Sequence, residues 1–483
     1  MLMKRLFVIF LFLAVAFSGI ASFVKISPAG KYFEHNGRAI VPVGFNDAIT
    51  WPSLISLSYG NKEAAEEYFE KLSYYGVNTL RIMFEYAQDR SGLSLFESPL
   101  GTYNDTVIGI WDNIISLAEK YNIYLIITPW DPFWMYENWD VNPYNTDNGG
   151  PISTMAEFLT DEEALEWQKA RFRFMIERYG ASEQILAWEL NNEIELWYGH
   201  IFYKADYSVG NEARKWIEEI STFIRALERD LYGETHLLTV STAKPALTGI
   251  LSGKLYRFDH IDFFTTHFYF DTIKDPKDPM KIAEDVVMNI NYHNYLFNDS
   301  IPFMDSESGP IDRWPQPSRF DTTCYKAFSW AHLASGGTGI GMRWPYTSPH
   351  LMPDYLLQVL KPISQFIESE GIDWLDFSGI NLDNEIIVSS DKDIFHTCSG
   401  NSLENLTSVI GWVASKETIG NVVIESSALD EGTYLLEIWS DRYERDIDSY
   451  ILGSYEFDSK EDFSLQLSID QSSFAYKIYR IES

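Results

Sequence analysis

Two short stretches each end on a glutamate that could work in company. One reads Trp188-Glu189-Leu190-Asn191-Asn192-Glu193, the other Ile301-Pro302-Phe303-Met304-Asp305-Ser306-Glu307-Ser308-Gly309. In both, a short apolar run of the kind that forms a buried strand gives way to polar residues. Two carboxyls brought together from such strand ends can divide the breaking of a bond. One stays protonated and gives its proton to a departing oxygen, while the other stays ionised and attacks carbon. Cleavage of a glycosidic bond with retention of configuration asks for that division, with the two groups about 5–5.5 Å apart. Glu189 and Glu195 are rivals for the acid, but Glu189 falls inside its strand and Glu195 beyond the strand's end, which leaves Glu193 as the better placed.

The elements that must hold this pair are legible as an alternation. From Val41 onward short β-branched or apolar runs alternate with amphipathic segments, the pattern of parallel strands covered by helices. Strands are predicted at Val41–Phe45, Thr79–Met83, Tyr124–Thr128, Ile185–Leu190, Leu237–Ser241, Phe263–His267, Pro302–Asp305 and Gly339–Arg343. Helices are predicted at Glu63–Tyr75, Val107–Tyr121, Asp161–Tyr179, Asn211–Leu231 and Thr322–Ala334. Eight such units close an α/β fold of the (β/α)8 TIM-barrel type, whose chemistry sits at the C-terminal ends of the strands. The fourth and seventh strands then present Glu193 and Glu307 across the pore. A hairpin turning on Asn36-Gly37 precedes the barrel. The connection Trp130–Met155, rich in Trp, Tyr, Asn, Gly and Pro, is too long for an ordinary link and is expected to wall a cleft. Beyond Gly371 the helical pattern gives way to alternating strands such as Asn421–Glu425, Thr433–Trp439 and Phe474–Ile481, expected to form a small β-sandwich.

The chain thus divides into residues 1–22, 23–370 and 371–483. Residues 1–22 carry Lys4-Arg5, an apolar run from Leu6 to Phe17 and then small residues, the form of a secretory signal peptide, so a secreted location is expected. The net charge of −33 argues against nucleic acid or an anionic membrane as partner, since a phosphate backbone needs a positive footprint. Cys324 and Cys398 allow one bridge and no framework of them. The nine histidines are scattered rather than grouped as metal ligands, so no cofactor is expected. Neither a Gly-x-Ser-x-Gly elbow nor a phosphate loop is present, and the glycines of Gly336–Gly341 precede a strand rather than a helix.

The segments Trp188–Glu193 and Pro302–Gly309 resemble the two signatures of clan A glycoside hydrolases, closest to family 5, which holds cellulases and mannanases. Asn78-Thr79-Leu80-Arg81 resembles the family's second-strand arginine motif, His267-Phe268-Tyr269 its sixth-strand His-x-Tyr, and Trp344 its eighth-strand tryptophan. The resemblance, over roughly Phe23–Phe366, implies Glu193 as acid/base and Glu307 as nucleophile. Arg81 and Tyr269 are expected to hold Glu307 ionised with a low pKa, and the charge of Glu307 to raise the pKa of Glu193. Asn192 is expected to meet the sugar's 2-hydroxyl, His267 to orient Glu193 or touch substrate, and Trp344 to offer an apolar platform. His267 and Trp344 read equally as core residues, and Arg81 as a structural ion-pair partner. Asn46, Trp51, Trp130, Asp131 and Trp134 follow the first and third strands and are expected to line the glycone side. Pro129-Trp130-Asp131 departs from the family, which commonly has a histidine there. The expected activity is retaining hydrolysis of a β-1,4-linked mannan or glucan, endo-acting, on a polysaccharide or oligosaccharide substrate. An exo-acting β-glycosidase and a non-catalytic sugar-binding barrel are the alternatives.

Overall fold

The computed structural model describes residues 22–50, 54, 60–85, 95–198, 207–243, 259–270, 278–297, 301–310, 320–345, 351–459 and 463–481. The predicted signal peptide up to residue 21, and Trp51, lie outside them.

The predicted hairpin forms with Asn36 and Gly37 at φ of 53° and 75°, the left-handed pair that joins His35 to Arg38 in register. It packs under the barrel. Val24, Phe33 and Ile40 share one apolar cluster with Tyr124, Leu186, Leu237, Phe263, Met304 and Met342 from the strands, which makes a dry floor.

Above that floor Gly44–Asp47, Thr79–Met83, Tyr124–Thr128, Ile185–Glu189 and Leu237–Thr239 form a parallel sheet in chain order. The fifth strand resumes after Val240 as Ser241–Thr242, pairs with Phe264–Tyr269, and that strand pairs with Phe303–Gly309. The predicted eighth strand does not build a regular ladder. Gly339 and Gly341 adopt φ of 75° and 66°, a left-handed backbone that interrupts extension. The run still closes the ring, because Ile340 N–H donates to Pro42 O at 3.1 Å, Met342 N–H to Asp305 O at 2.8 Å, and Arg343 O accepts from Asn46 N–H at 2.9 Å. The architecture is a (β/α)8 barrel.

Predicted helices form with small shifts at their ends, for example Glu162–Tyr179, where Asp161 caps the first turn by accepting from Ala164 N–H at 2.8 Å. Pro279–Phe297 and Asp354–Glu368 are helices without a sequence-based expectation. No helix of the described residues is long and apolar enough to cross a membrane.

After the barrel come two antiparallel sheets. The larger runs Ile380–Asn381, Ile394–Gly400, Ser408–Ser415, Ser473–Arg480, Gly432–Trp439, Ile451–Ser459, and the smaller Ile386–Ser390, Gly420–Ser426, Phe463–Ile469. Val409, Val413, Val422, Ile424, Leu436 and Ile478 lie in one apolar core drawn from both. Alternate residues of the larger sheet, Trp412, Ala414, Trp439 and Ala475, join the barrel's own apolar core instead. Lys326 on the barrel helix Asp321–Ala334 bonds Asp441 at 3.0 Å and Ser473 at 2.7 Å. The apolar core therefore crosses residue 370 without a break.

Candidate active site

The mouth of the barrel is organised around Arg81, fully buried on the second strand. Burying a guanidinium is tolerable only when its donors are met by acceptors, and here they are. Nε and Nη2 fork onto Glu189 at 2.5 and 2.8 Å. Nη1 reaches Asn46 Oδ1 at 2.6 Å and Glu307 Oε2 at 3.0 Å, and Nη2 also reaches Asn192 Oδ1 at 2.7 Å. Thr128 Oγ1 completes Glu189 with a bond of 2.9 Å. Burial acts to raise the Glu189 carboxyl, but Arg81 outweighs it and holds the group below the ordinary glutamate value.

Glu307 pairs with His267 of the sixth strand, two residues before the seventh strand ends at Gly309. Its Oε2 takes Arg81 and its Oε1 accepts from the Tyr269 hydroxyl. Glu193 lies four residues beyond the fourth strand, in the left-handed region at φ 42°, with its N–H donating to Ser241 Oγ at 3.0 Å. His267 Nδ1 lies 2.6 Å from Glu193 Oε1. One oxygen of Glu193, one oxygen of Glu307 and a nitrogen of His267 all fall within 4.8 Å of one another. Burial lifts Glu193 to about 7, against the pull of Arg81 and with help from the charge of Glu189. Burial drives His267 down to about 4, so its imidazole is neutral at neutral pH.

Two electrostatic expectations are corrected. Burial raises the Glu307 carboxyl above its ordinary value, although His267, Arg81 and Tyr269 all pull the other way. Arg81 divides its donors among five acceptor side chains, Ser241 Oγ at 3.4 Å being the fifth, and the fork goes to Glu189 rather than to Glu307. The high pKa of Glu193 comes from desolvation first, and its like-charge contribution from Glu189.

The family model described as cellulase (glycosyl hydrolase family 5) matches residues 43–327, more than half of the chain. The chain belongs to glycosyl hydrolase family 5. Among curated proteins it is similar to mannan endo-1,4-beta-mannosidase 5 of Solanum lycopersicum, 26% identical over 275 residues, which cover 52% of this chain and 61% of that protein. The chain thus spans about three fifths of that relative's length. A family 5 glycoside hydrolase structure from Bacteroides vulgatus superposes with a TM-score of 0.60 at 13% identity, covering 95% of this chain and 94% of that one. The endo-beta-1,4-mannanase structure from Thermotoga petrophila gives 0.52 at 18% identity, covering 93% and 99%. At these identities the structural likeness speaks for the fold.

Within the family 5 barrel the structure brings Glu193, Glu307, Arg81, Asn192, His267 and Tyr269 into one cluster. Trp344 lies at its rim, 7% exposed, in a small apolar group with Ala48, Met83 and Trp134. Asn46 and Trp130 do not line a cleft. Asn46 spends its amide on Arg81 and on Ser306 O, at 2.6 and 2.7 Å. Trp130 is 1% exposed and packs edge-on against Phe158, Phe172 and Trp216, with Arg171 over its face. What Trp130 gives the site is its carbonyl, which accepts from Asn192 N–H at 3.1 Å. Asp131 is at the mouth, its Oδ1 accepting from Asn192 Nδ2 at 2.9 Å. The connection after the third strand is built of short helical turns with Tyr144 and Ile152 buried, so much of it is a packed structure.

Sequence reasoning missed Ser241 and Thr128. Both stand at or next to strand ends, and that position was the available signal. Glu193, His267 and Glu307 also offer ligand atoms for a cation, but Arg81 stands 3.0 Å from Glu307 and its charge competes with one. A second such group, Asp383 in the turn after Asn381 with His396 and Cys398 on the strand Ile394–Gly400, is knitted into local hydrogen bonds, Cys398 N–H to Asp383 at 2.8 Å and His396 to Tyr476 OH at 2.9 Å. Both cysteines are buried and free.

Proposed function

We propose that this protein is a secreted, retaining β-glycoside hydrolase that cuts within a β-1,4-linked mannan, or failing that a glucan, with Glu307 as nucleophile and Glu193 as acid/base. The observation that carries the reading is the paired carboxylates. Their nearest oxygens lie within 4.8 Å, close to the roughly 5–5.5 Å of retaining pairs and short of the roughly 6.5–9.5 Å that leaves room for a water. The mannan preference is supported by the relatives, which bear the name mannan endo-1,4-beta-mannosidase.

In the first step a carboxylate oxygen of Glu307 bonds to the anomeric carbon as the bond to the leaving oxygen breaks, and Glu193 gives that oxygen its proton. The product is a glycosyl ester on Glu307. In the second step Glu193, now ionised, takes a proton from water as the water oxygen bonds to the same carbon and Glu307 departs. Burial suits Glu193 to both duties by placing its pKa at about 7. Arg81 and Tyr269 receive the charge that returns to Glu307 when the ester breaks. Asn192 Oδ1 is committed to Arg81, so its NH2 is the end that meets the sugar's 2-hydroxyl. Trp344, with Trp134, offers the apolar platform.

Residues 371–483 are read as an accessory β-sandwich that shields the barrel, because Trp412, Trp439 and Tyr450 are buried in the barrel's core. The test of the whole reading is activity of the mature protein on β-mannan, β-glucan, xylan and galactan, with Glu307→Ala as the blank. A fall in viscosity of one polymer before monosaccharide appears, absent in the variant, supports it. Release of monosaccharide alone would end the endo reading, and inertness on all four would end the hydrolase reading on polymers.

A further inference from the structure

Asp131 follows the third strand at the N-terminal edge of the short helix Pro132–Glu137. Its two oxygens are used unequally. Oδ1 accepts both from Phe133 N–H at 3.2 Å and from Asn192 Nδ2 at 2.9 Å. Among the described residues none donates to Oδ2. The residue as a whole is only 5% exposed, yet Oδ2 itself is not sealed off, so it is an acceptor without a protein donor that an incoming group can reach. A hydroxyl arriving there gains a hydrogen bond without displacing a protein donor. Its neighbour Asn192 is the residue assigned above to the 2-hydroxyl.

The side-chain type narrows what the donor is. A neutral imidazole in this place would both donate and accept, whereas an ionised carboxylate only accepts. It therefore suits a hydroxyl, and the bond it forms is charge-assisted and stronger than a neutral one. Burial, together with the charge of Glu193, raises the Asp131 pKa to about 7 despite the bond from Asn192, so the purely accepting, charge-assisted form is the main one only above that pH.

We propose that Asp131 Oδ2 is the acceptor for the hydroxyl at C2 or C3 of the sugar on the glycone side of the scissile bond, and so selects that sugar. This rests on the hydrolase reading and deepens it. Epimers at C2 put the hydroxyl on opposite faces of the ring, so one fixed acceptor beside Asn192 cannot serve both equally.

The test uses the full-length mature protein and an aryl β-mannobioside, with two analogues whose aryl-bearing sugar lacks the 2-hydroxyl or the 3-hydroxyl. Asp131→Asn keeps the shape and replaces the free oxygen or its charge. It is expected to lower kcat/KM on the parent about 10- to 100-fold, and the loss is expected to shrink to about 3-fold or less on one of the deoxy substrates. Asp131→Ser, which keeps a cap for Phe133, is expected to show the same pattern. An equal loss on all three substrates would overturn the proposal, since Asp131 would then act only through Asn192, and so would no loss on the parent. If the unaltered protein turns over none of the three, the mannan-cleaving reading fails. Calorimetric binding of mannobiose and its deoxy forms to both proteins then decides Asp131 separately, with the same collapse expected in Kd and its absence counting against the site.

Discussion

The two ends of the barrel are built from the same strands and are buried to the same degree, yet they are made of opposite materials. At the floor Phe33 meets Phe263 edge-on with ring centres 5.1 Å apart, amid Leu186, Met304 and Met342. At the mouth Arg81, Glu189, Glu307 and Glu193 are packed as tightly, with charge where the floor has methyl groups. Apolar burial stabilises in proportion to area, whereas buried charges return their desolvation cost only if every partner is kept. The floor holds the fold together. The mouth is held by the fold, and its displaced pKa values mark where that strain is put to use.

The largest effect should come from cutting the mouth at its reacting atom. Glu307→Ala should lower kcat by roughly 10⁴-fold or more while the protein stays folded, measured on an aryl β-mannoside with azide added to recover turnover as the α-glycosyl azide. Next, two variants set the ends against each other. Phe33→Ala should cost about 3–5 kcal/mol in urea unfolding and leave kcat/KM of the folded protein within about threefold, since additivity holds across separated sites. Arg81→Met should cost a similar 3–5 kcal/mol because Glu189 is left buried and unpaired, but should also abolish most turnover. Equal effects of the two on kcat/KM would erase the distinction between the ends.

A smaller and sharper measurement is the pH profile. Glu193 must be protonated for the first step and its pKa is raised to about 7, so kcat/KM should fall as pH rises through about 7. Glu307 must be ionised and burial holds its pKa above the ordinary value, so the acid limb should lie above that of a free glutamate. With a substrate whose leaving group needs no proton, Glu193→Gln should remove the basic limb. A limb that survives it belongs to another group, and Asp131 would be the first to examine.

Much of this was legible in the sequence, because a barrel ties chemistry to strand ends. The ends of the second, fourth, sixth and seventh strands yielded Arg81, Glu193, His267, Tyr269 and Glu307 from alternation and motif together. What stayed hidden was direction. Past a strand's end the period of two no longer says which way a side chain faces, so Trp130 looked like a cleft residue although it turns back into the core. Asn46, expected on the glycone side, is instead taken into the barrel by its bond from Arg81, a pairing that strand periodicity does not announce. The eighth strand was found by its place and misjudged in form, because Gly339 sits where a Cβ would come within 2.3 Å of Pro42 O.

The backbone at Glu193 carries a consequence for durability. At φ 42° a residue with a side chain is held in a conformation that glycine adopts freely, at a cost on the order of 1 kcal/mol. Glu193→Gly should therefore fail on substrates whose leaving group needs a proton and yet melt a few degrees higher, as a thermal unfolding scan would show. The residue that carries the proton is thus held in a backbone conformation that disfavours any side chain.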